Sequence, residues 1–179
     1  TMTMSKARSV DEHRAEAPKS LTLAVLTVSD TRTTATDSSG DLIVELAETA
    51  GHRVIARAIT PDEPAAVRAF ITARAGDHPQ EPAVDAILVT GGTGISPRDQ
   101  THETVSALLT KPLPGYGELF RMLSYEQIGP ACMLSRAVGG LMERTVILVM
   151  PGSRAAVELA MTKIILPELP HLVREARKG

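Results

Sequence analysis

Read from its first residue, the chain alternates short β-rich apolar runs with stretches of helical spacing, parted by loops of Gly, Pro, Asp and Ser. The run Leu-Thr-Leu-Ala-Val-Leu-Thr-Val-Ser at 21–29 has the length and composition of a buried strand and stops at the polar stretch 30–39. Leu42, Ile43, Leu46 and Ala50 then predict a helix from about residue 40, capped by Ser38 or Ser39 and stopped by Gly51. Residues 53–60 read as a second strand. Pro61-Asp62-Glu63-Pro64 follows as the start of a helix, its acidic residues suiting the dipole and its apolar face holding Val67, Phe70 and Ile71. Residues 85–90 predict a buried strand ending at Gly91-Gly92-Thr93-Gly94, and a helix begins near Thr101. Residues 116–125 are assigned as helix, closed by Gly129 and Pro130, and residues 133–142 as an extended segment. A buried strand at 144–150 ends at Pro151-Gly152-Ser153, followed by the helical stripe Ala155, Val157, Leu159, Ala160 and Ile164. Pro167 and Pro170 are expected to interrupt that helix before a last short one through Val173.

This alternation implies a three-layer α/β/α sandwich with a mostly parallel sheet, since each crossover helix must cover a sheet face. Residues 1–20 hold Lys6, Arg8, Asp11, Glu12, Arg14, Glu16 and Lys19 with almost nothing large and apolar, so they are expected to be a disordered tail before a single domain at 21–179. Nineteen basic against 21 acidic side chains, no Trp, two Tyr and two Phe give bases neither a charged track nor stacking rings, so no nucleic-acid partner is expected. The single cysteine, Cys132, excludes an internal disulfide and a Cys-built zinc cage and fits a reducing compartment. No run approaches the roughly 18 apolar residues of a membrane span, and residues 1–20 lack a signal-type apolar stretch. A cytoplasmic protein without a membrane partner is the expectation. The chain has no Asn and therefore no N-glycosylation site.

Ligands of open parallel sheets bind beyond the carboxyl ends of the strands. Four such loops draw attention: Ser29-Asp30-Thr31, Pro61-Asp62-Glu63, Gly91 to Gly94 with Pro97-Arg98-Asp99, and Pro151-Gly152-Ser153. The glycine segment is neither a Walker A loop nor a G-x-G-x-x-G fingerprint. Its three glycines can still bring backbone N–H groups close to a phosphate, with the Thr93 hydroxyl beside them, or can simply make a tight turn. Asp99 can cap a helix or pair with Arg98, and Asp62 can complement a helix dipole. Near phosphates the two carboxylates could instead hold Mg²⁺. His102 has no metal-ligand spacing around it, Cys132 has no neighbouring His, and Met122, Met133 and Met142 read as fillers of apolar gaps.

Taken together, several strings over residues 21–172 resemble the MoaB/Mog family of molybdenum cofactor biosynthesis proteins. They are Leu-Thr-Val-Ser-Asp-Thr, Gly-Gly-Thr-Gly-Ile-Ser-Pro-Arg-Asp-Gln-Thr, Pro-Gly-Tyr-Gly-Glu-Leu-Phe-Arg-Met-Leu-Ser-Tyr, Met-Leu-Ser-Arg-Ala and Met-Pro-Gly-Ser. The block at 114–129 looks more like the MoaB branch. The resemblance implies a compact α/β fold that assembles as a trimer or hexamer. It also implies adenylyl transfer from Mg-ATP to the terminal phosphate of molybdopterin, with release of pyrophosphate. Family residues fall on Asp62 and Asp99 as the acidic pair acting through Mg²⁺ and on Gly91, Gly92, Thr93 and Gly94 as the phosphate loop. Ser135 matches a position needed for efficient transfer, and Arg136 beside it could pair with a phosphate. Ser29 and Asp30 would border the substrate, and Pro151, Gly152 and Ser153 the nucleotide. The alternative is a molybdopterin carrier without turnover, or a scaffold for other enzymes of the pathway. Residues 112–129, with Tyr116, Phe120 and Tyr125, are expected to contribute to oligomerisation.

Overall fold

The computed structural model describes residues 10–12, 14–77 and 79–179. Its centre is a six-stranded sheet in the order β2-β1-β3-β6-β5-β4. The strands are β1 (Thr22–Val28), β2 (Arg53–Thr60), β3 (Ala86–Thr90), β4 (Lys111–Pro112), β5 (Val138–Met142) and β6 (Thr145–Met150). The first four in sheet order run parallel, while β5 and β4 add an antiparallel edge. The helices are α1 (Ser38–Thr49), α2 (Pro64–Arg74), α3 (Thr101–Leu108), α4 (Pro114–Ile128), α5 (Arg154–Ala160) and α6 (Leu166–Ala176).

Alternate residues of β1 divide between two cores, as the two-residue period of a strand requires. Leu23 and Val25 pack with α1, α4, α5 and α6 through Ile43, Phe120, Val157 and Leu169. Ala24 and Leu26 pack with α2 and α3 through Val67, Ile71 and Val105. Covered on both faces, β3 and β6 are buried at every residue, which explains why they read as unbroken apolar runs. The architecture is the three-layer α/β sandwich with the mostly parallel sheet that the alternation implies.

From β1 the chain steps outward to β2, then crosses back over β1 to β3. The strand order therefore reverses at the β1/β3 pair, and a crevice opens beyond their carboxyl ends at this switch point.

Several local expectations change. The cap of α1 is Asp37, which accepts from the Gly40 amide, while Ser38 and Ser39 lie inside the helix. The acidic residues of Pro61-Asp62-Glu63 precede α2 and do not lie in its first turn, because Pro64 sets the helix start. Residues 129–134 form a 3₁₀ turn, and only 138–142 are extended. The prolines do not break the last helix: a π-turn at Met161–Ile165 precedes Pro167, and α6 runs through Pro170. Such a wider turn shifts the carbonyls that a proline can neither bond nor pack against. Met122 and Met133 are exposed at 58% and 69%, so they fill no gap. Of the expected tail, residues 1–9 and His13 lie outside the described residues. Residues 10–12 and 14–15 are helical, and Arg14 reaches Glu168 of α6 at 2.8 Å. Among the described residues no helix is long and apolar enough to cross a membrane.

Phe120, 1% exposed between α4 and the sheet, is a central filler of the larger core. Phe120→Ala should lower the unfolding free energy by about 3–5 kcal/mol in urea titration, while Arg68→Ala on the exposed side of α2 should change it by less than about 0.5 kcal/mol.

Candidate functional site at the switch point

The crevice is a polar cleft of about 270 Å³ lined by Thr27, Ser29, Arg32, Asp37, Ser39, Thr90, Gly91 to Gly94, Asp99 and Gly152. Three of the four strand-end loops therefore meet there, and the loop after β2 lies behind. Gly91 and Gly92 have φ of 102° and 66°, a backbone region that costs any residue with a Cβ. A Cβ at Gly91 would overlap the Val28 carbonyl, and one at Gly92 would overlap Thr101 Oγ1 and Asp62 Oδ2. Glycine is required here by both dihedral and space.

The loop turns its donors loose. Gly91 N–H still bonds Met150 O at 3.1 Å, but among the described residues the N–H groups of Gly92, Thr93, Gly94 and Ile95 donate no hydrogen bond. A row of unspent N–H groups next to positive-φ glycines is the geometry that binds anions. Asp99 stands in the cleft wall with Oδ2 taking Ser96 N–H at 3.0 Å and Ser96 Oγ–H at 2.7 Å.

Asp62 is placed differently from its expected partner. It is 5% exposed, it lies beneath Gly92, and it does not line the cleft. Its Oδ2 accepts Gln100 N–H at 3.2 Å, while its Oδ1 is buried with no hydrogen-bond partner. Burial raises its pKa above the ordinary range, with Asp99 and Asp30 adding to the rise. Asp30 has the opposite fate: the Arg98 guanidinium grips it in two bonds of 2.7 and 2.8 Å and holds its pKa down at about 2. Arg98 also bonds Glu63 at 2.8 Å, so its partners are Asp30 and Glu63, and not Asp99. It thereby ties together the loops after β1, β2 and β3.

The remaining predicted residues divide by role. Ser29 Oγ accepts the Thr31 and Arg32 amides at 3.2 and 3.0 Å and shapes its own loop. Pro151 O accepts Thr90 Oγ–H at 2.9 Å, and Ser153 caps α5 through the Ala156 amide at 3.2 Å, so of this loop only Gly152 reaches the cleft. Ser135 and Arg136 lie outside its lining. Ser135 O faces Arg121 at 3.4 Å, and the Arg136 guanidinium is bound to Gly94 O, Asp99 O and Glu103. No group of three or more acidic, His or Cys side chains that could hold a metal ion occurs among the described residues. That donor set does not fit a resident metal, but one or two carboxylates are what Mg²⁺ takes when phosphates supply its other ligands.

Asp37 was not foreseen as part of the site. It is 1% exposed and receives Thr27 Oγ–H at 2.7 Å, Gly40 N–H at 3.0 Å and Arg57 Nη2 at 3.0 Å. Ser39 Oγ–H donates to Gly152 O at 2.7 Å and pins the start of α1 to the opposite wall. The Asp-Ser-Ser-Gly spelling at 37–40 is a capping signal, but only the tertiary partners from β1 and β2 show that it borders the cleft.

Fold and cleft define a doubly wound α/β protein with a donor-rich crevice at the sheet's switch point. A family model described as "Probable molybdopterin binding domain" matches residues 24–171. Molybdenum cofactor biosynthesis protein B of Bacillus subtilis is 49% identical over 171 residues, 95% of this chain and 98% of that protein. A crystal structure of a molybdenum cofactor biosynthesis protein B superposes with a TM-score of 0.85 at 49% identity, covering 92% of this chain and 100% of that one. The tungsten cofactor synthesizing protein MoaB from Pyrococcus furiosus superposes with a TM-score of 0.79 at 35% identity, covering 90% and 100%. The chain belongs to the MoaB/Mog family of molybdenum cofactor biosynthesis proteins.

Two predictions follow from the loop and the carboxylate beneath it. Gly91→Ala should lower the unfolding free energy by at least about 1–3 kcal/mol in urea titration, since the strain at a positive φ is of that order and the Val28 backbone cannot yield. Stability equal to the wild type would show that the turn does not require glycine at this position. A carboxyl whose pKa is raised by folding stabilises the fold below its unfolded value of about 3.9 and loses that contribution as pH rises through the folded value. Asp62→Asn should therefore gain stability relative to the wild type as pH rises above the unfolded value of about 3.9 in urea titrations, as the wild-type group is forced to ionise.

Proposed function

We propose that this protein serves molybdenum cofactor biosynthesis by moving AMP from Mg-ATP onto the terminal phosphate of molybdopterin. A phosphate oxygen of molybdopterin attacks the α-phosphorus of ATP, the bond to the β-phosphate breaks, and pyrophosphate leaves. The observation that carries this reading is the row of unspent N–H groups from Gly92 to Ile95 at the switch point, with the Asp99 carboxylate in the same cleft. The names of the similar proteins supply the pathway. The reaction runs between two phosphates and needs no Ser or Cys nucleophile, only positioning and charge neutralisation.

The charges around the cleft agree. Asp37 is paired with Arg57, and Asp30 with Arg98. Asp62 and Asp99 have no ion-pair partner among the described residues, and Asp62 keeps a buried oxygen without a hydrogen bond. An acidic pair would repel a bare polyphosphate. Asp99, in the cleft wall, is the residue that would hold Mg²⁺ of Mg-ATP, which neutralises charge on the phosphates when bound, and Asp62 beneath Gly92 would act on it through the loop and not as a direct ligand. The Gly92, Thr93 and Gly94 amides then hold phosphate oxygens, and Gly152 with Ser39 forms the facing wall.

The exposed apolar side chains Leu119, Met122, Tyr125 and Ile128 of α4, with Met133 and Leu134 of the turn after it, form a face suited to a second copy of the chain. A homo-oligomer is part of this reading, and Met122→Glu together with Tyr125→Glu should shift sedimentation toward the monomer.

Purified protein incubated with molybdopterin, ATP and Mg²⁺ should yield molybdopterin-AMP and pyrophosphate. Asp99→Asn should lower the rate on the order of 100-fold, the scale on which loss of one electrostatic contact to a transition state is felt. Tight molybdopterin binding with no AMP adduct would replace the transferase with a carrier.

A further inference from the structure

We propose that Arg136 is a positioning residue for the phosphate loop: it holds the loop's carbonyl groups so that the loop's N–H groups stand free. The proposal rests on the reading of the cleft as a phosphate site and concerns how its donors are set.

Arg136 grips the loop three times. Its main-chain N–H donates to Thr93 O at 3.0 Å, its Nε–H to Gly94 O at 2.8 Å, and an Nη2–H to Asp99 O at 3.0 Å. Carbonyl and N–H of one trans peptide point in opposite directions, and the chain has no cis peptide bond among the described residues. Drawing Thr93 O and Gly94 O toward Arg136 therefore turns the N–H groups of Gly94 and Ile95 away from it. Gly92 O is fixed in the same sense by Thr101 N–H at 3.2 Å, which turns out the Thr93 N–H. Three successive peptides thus spend their acceptors on one side and leave their donors on the other.

Arg136 is itself held in place. Glu103 of α3 bonds both of its terminal nitrogens, and His102 Nδ1 bonds Arg136 O at 2.8 Å. On the far side, Arg121 of α4 bonds Ala137 O at 3.2 Å. Four of the five guanidinium donors are spent on Gly94, Asp99 and Glu103, so the side chain has little left for a phosphate and lies outside the cleft lining. The shape of the group matters more than its charge: a lysine keeps the charge but cannot span Gly94 O, Asp99 O and a carboxylate at once.

The test compares Arg136→Lys and Arg136→Ala with the wild type, reading hydrogen exchange of the loop's bonded amides at Ser96, Asp99 and Gln100, pyrophosphate affinity, and kcat and KM for AMP transfer. Urea titration keeps the comparison to folded variants. Both variants should exchange the hydrogen-bonded amides of Ser96, Asp99 and Gln100 at least about tenfold faster, and pyrophosphate affinity and kcat should fall by a similar factor, Arg136→Lys resembling Arg136→Ala. A phosphate ligand would behave otherwise, with Lys restoring affinity and leaving loop exchange untouched, and that result overturns the proposal. Unchanged loop exchange in Arg136→Lys overturns it whatever the turnover. If the wild type forms no AMP adduct, the transferase reading fails, while exchange and pyrophosphate affinity still decide on Arg136.

Discussion

The sharp reversal of the backbone after β3 is the constraint on which the rest of the site depends. Gly91 and Gly92 can occupy positive φ against the Val28 carbonyl on one side and Thr101 with Asp62 on the other only because neither has a side chain. That reversal sends the chain from a fully buried strand to the start of α3 and leaves a short arc of backbone exposed at the sheet rim. An arc of this kind must satisfy its polar groups elsewhere or leave them for a ligand. Here the acceptors are satisfied from within, by Thr101 and Arg136, and the donors are not.

The electrostatics divide in the same way. Four aspartates surround the arc, yet they are not equivalent. Asp37 and Asp30 are tied to arginines from neighbouring strands and loops, and act as structural pins. Asp99 keeps one oxygen on Ser96, and Asp62 lies buried with its pKa raised by that burial. Residues of one type therefore have different surroundings: two hold loops together, and two lie beside the donor row, Asp99 in the cleft wall and Asp62 buried beneath it. A magnesium nucleotide is the kind of ligand that suits this arrangement, since it brings phosphates for the amides and a cation for the Asp99 carboxylate.

The sequence disclosed the layers well because β1, β3 and β6 are buried on both faces and leave uninterrupted apolar runs. Arg53–Thr60 is equally legible from its β-branched residues Val54, Ile55, Ile59 and Thr60. What could not be read locally is what tertiary contacts decide. The pairing of the two-residue β4 with β5 lies below any periodic signal. The last helix starts after a π-turn, takes Pro167 in its first turn and runs on through Pro170, which no spacing rule records. The glycine loop, Asp99 and Gly152 were marked by their position after strands, and they do meet at one cleft. Asp62 bears the same kind of spelling and yet sits under the loop, because burial depends on which strand lies beside it. Arg136 shows the limit most plainly: sequence proximity to Ser135 suggests a phosphate ligand, whereas Gly94, Asp99 and Glu103 take four of its five guanidinium donors.

The central claim concerns where a polyphosphate lies. A crystal structure of this protein with Mg²⁺ and a non-hydrolysable ATP analogue should place phosphate oxygens on the N–H groups of Gly92, Thr93 and Gly94, with the metal on the Asp99 side of the cleft. Phosphates bound away from that row, with Gly92, Thr93 and Gly94 still bare, would contradict it.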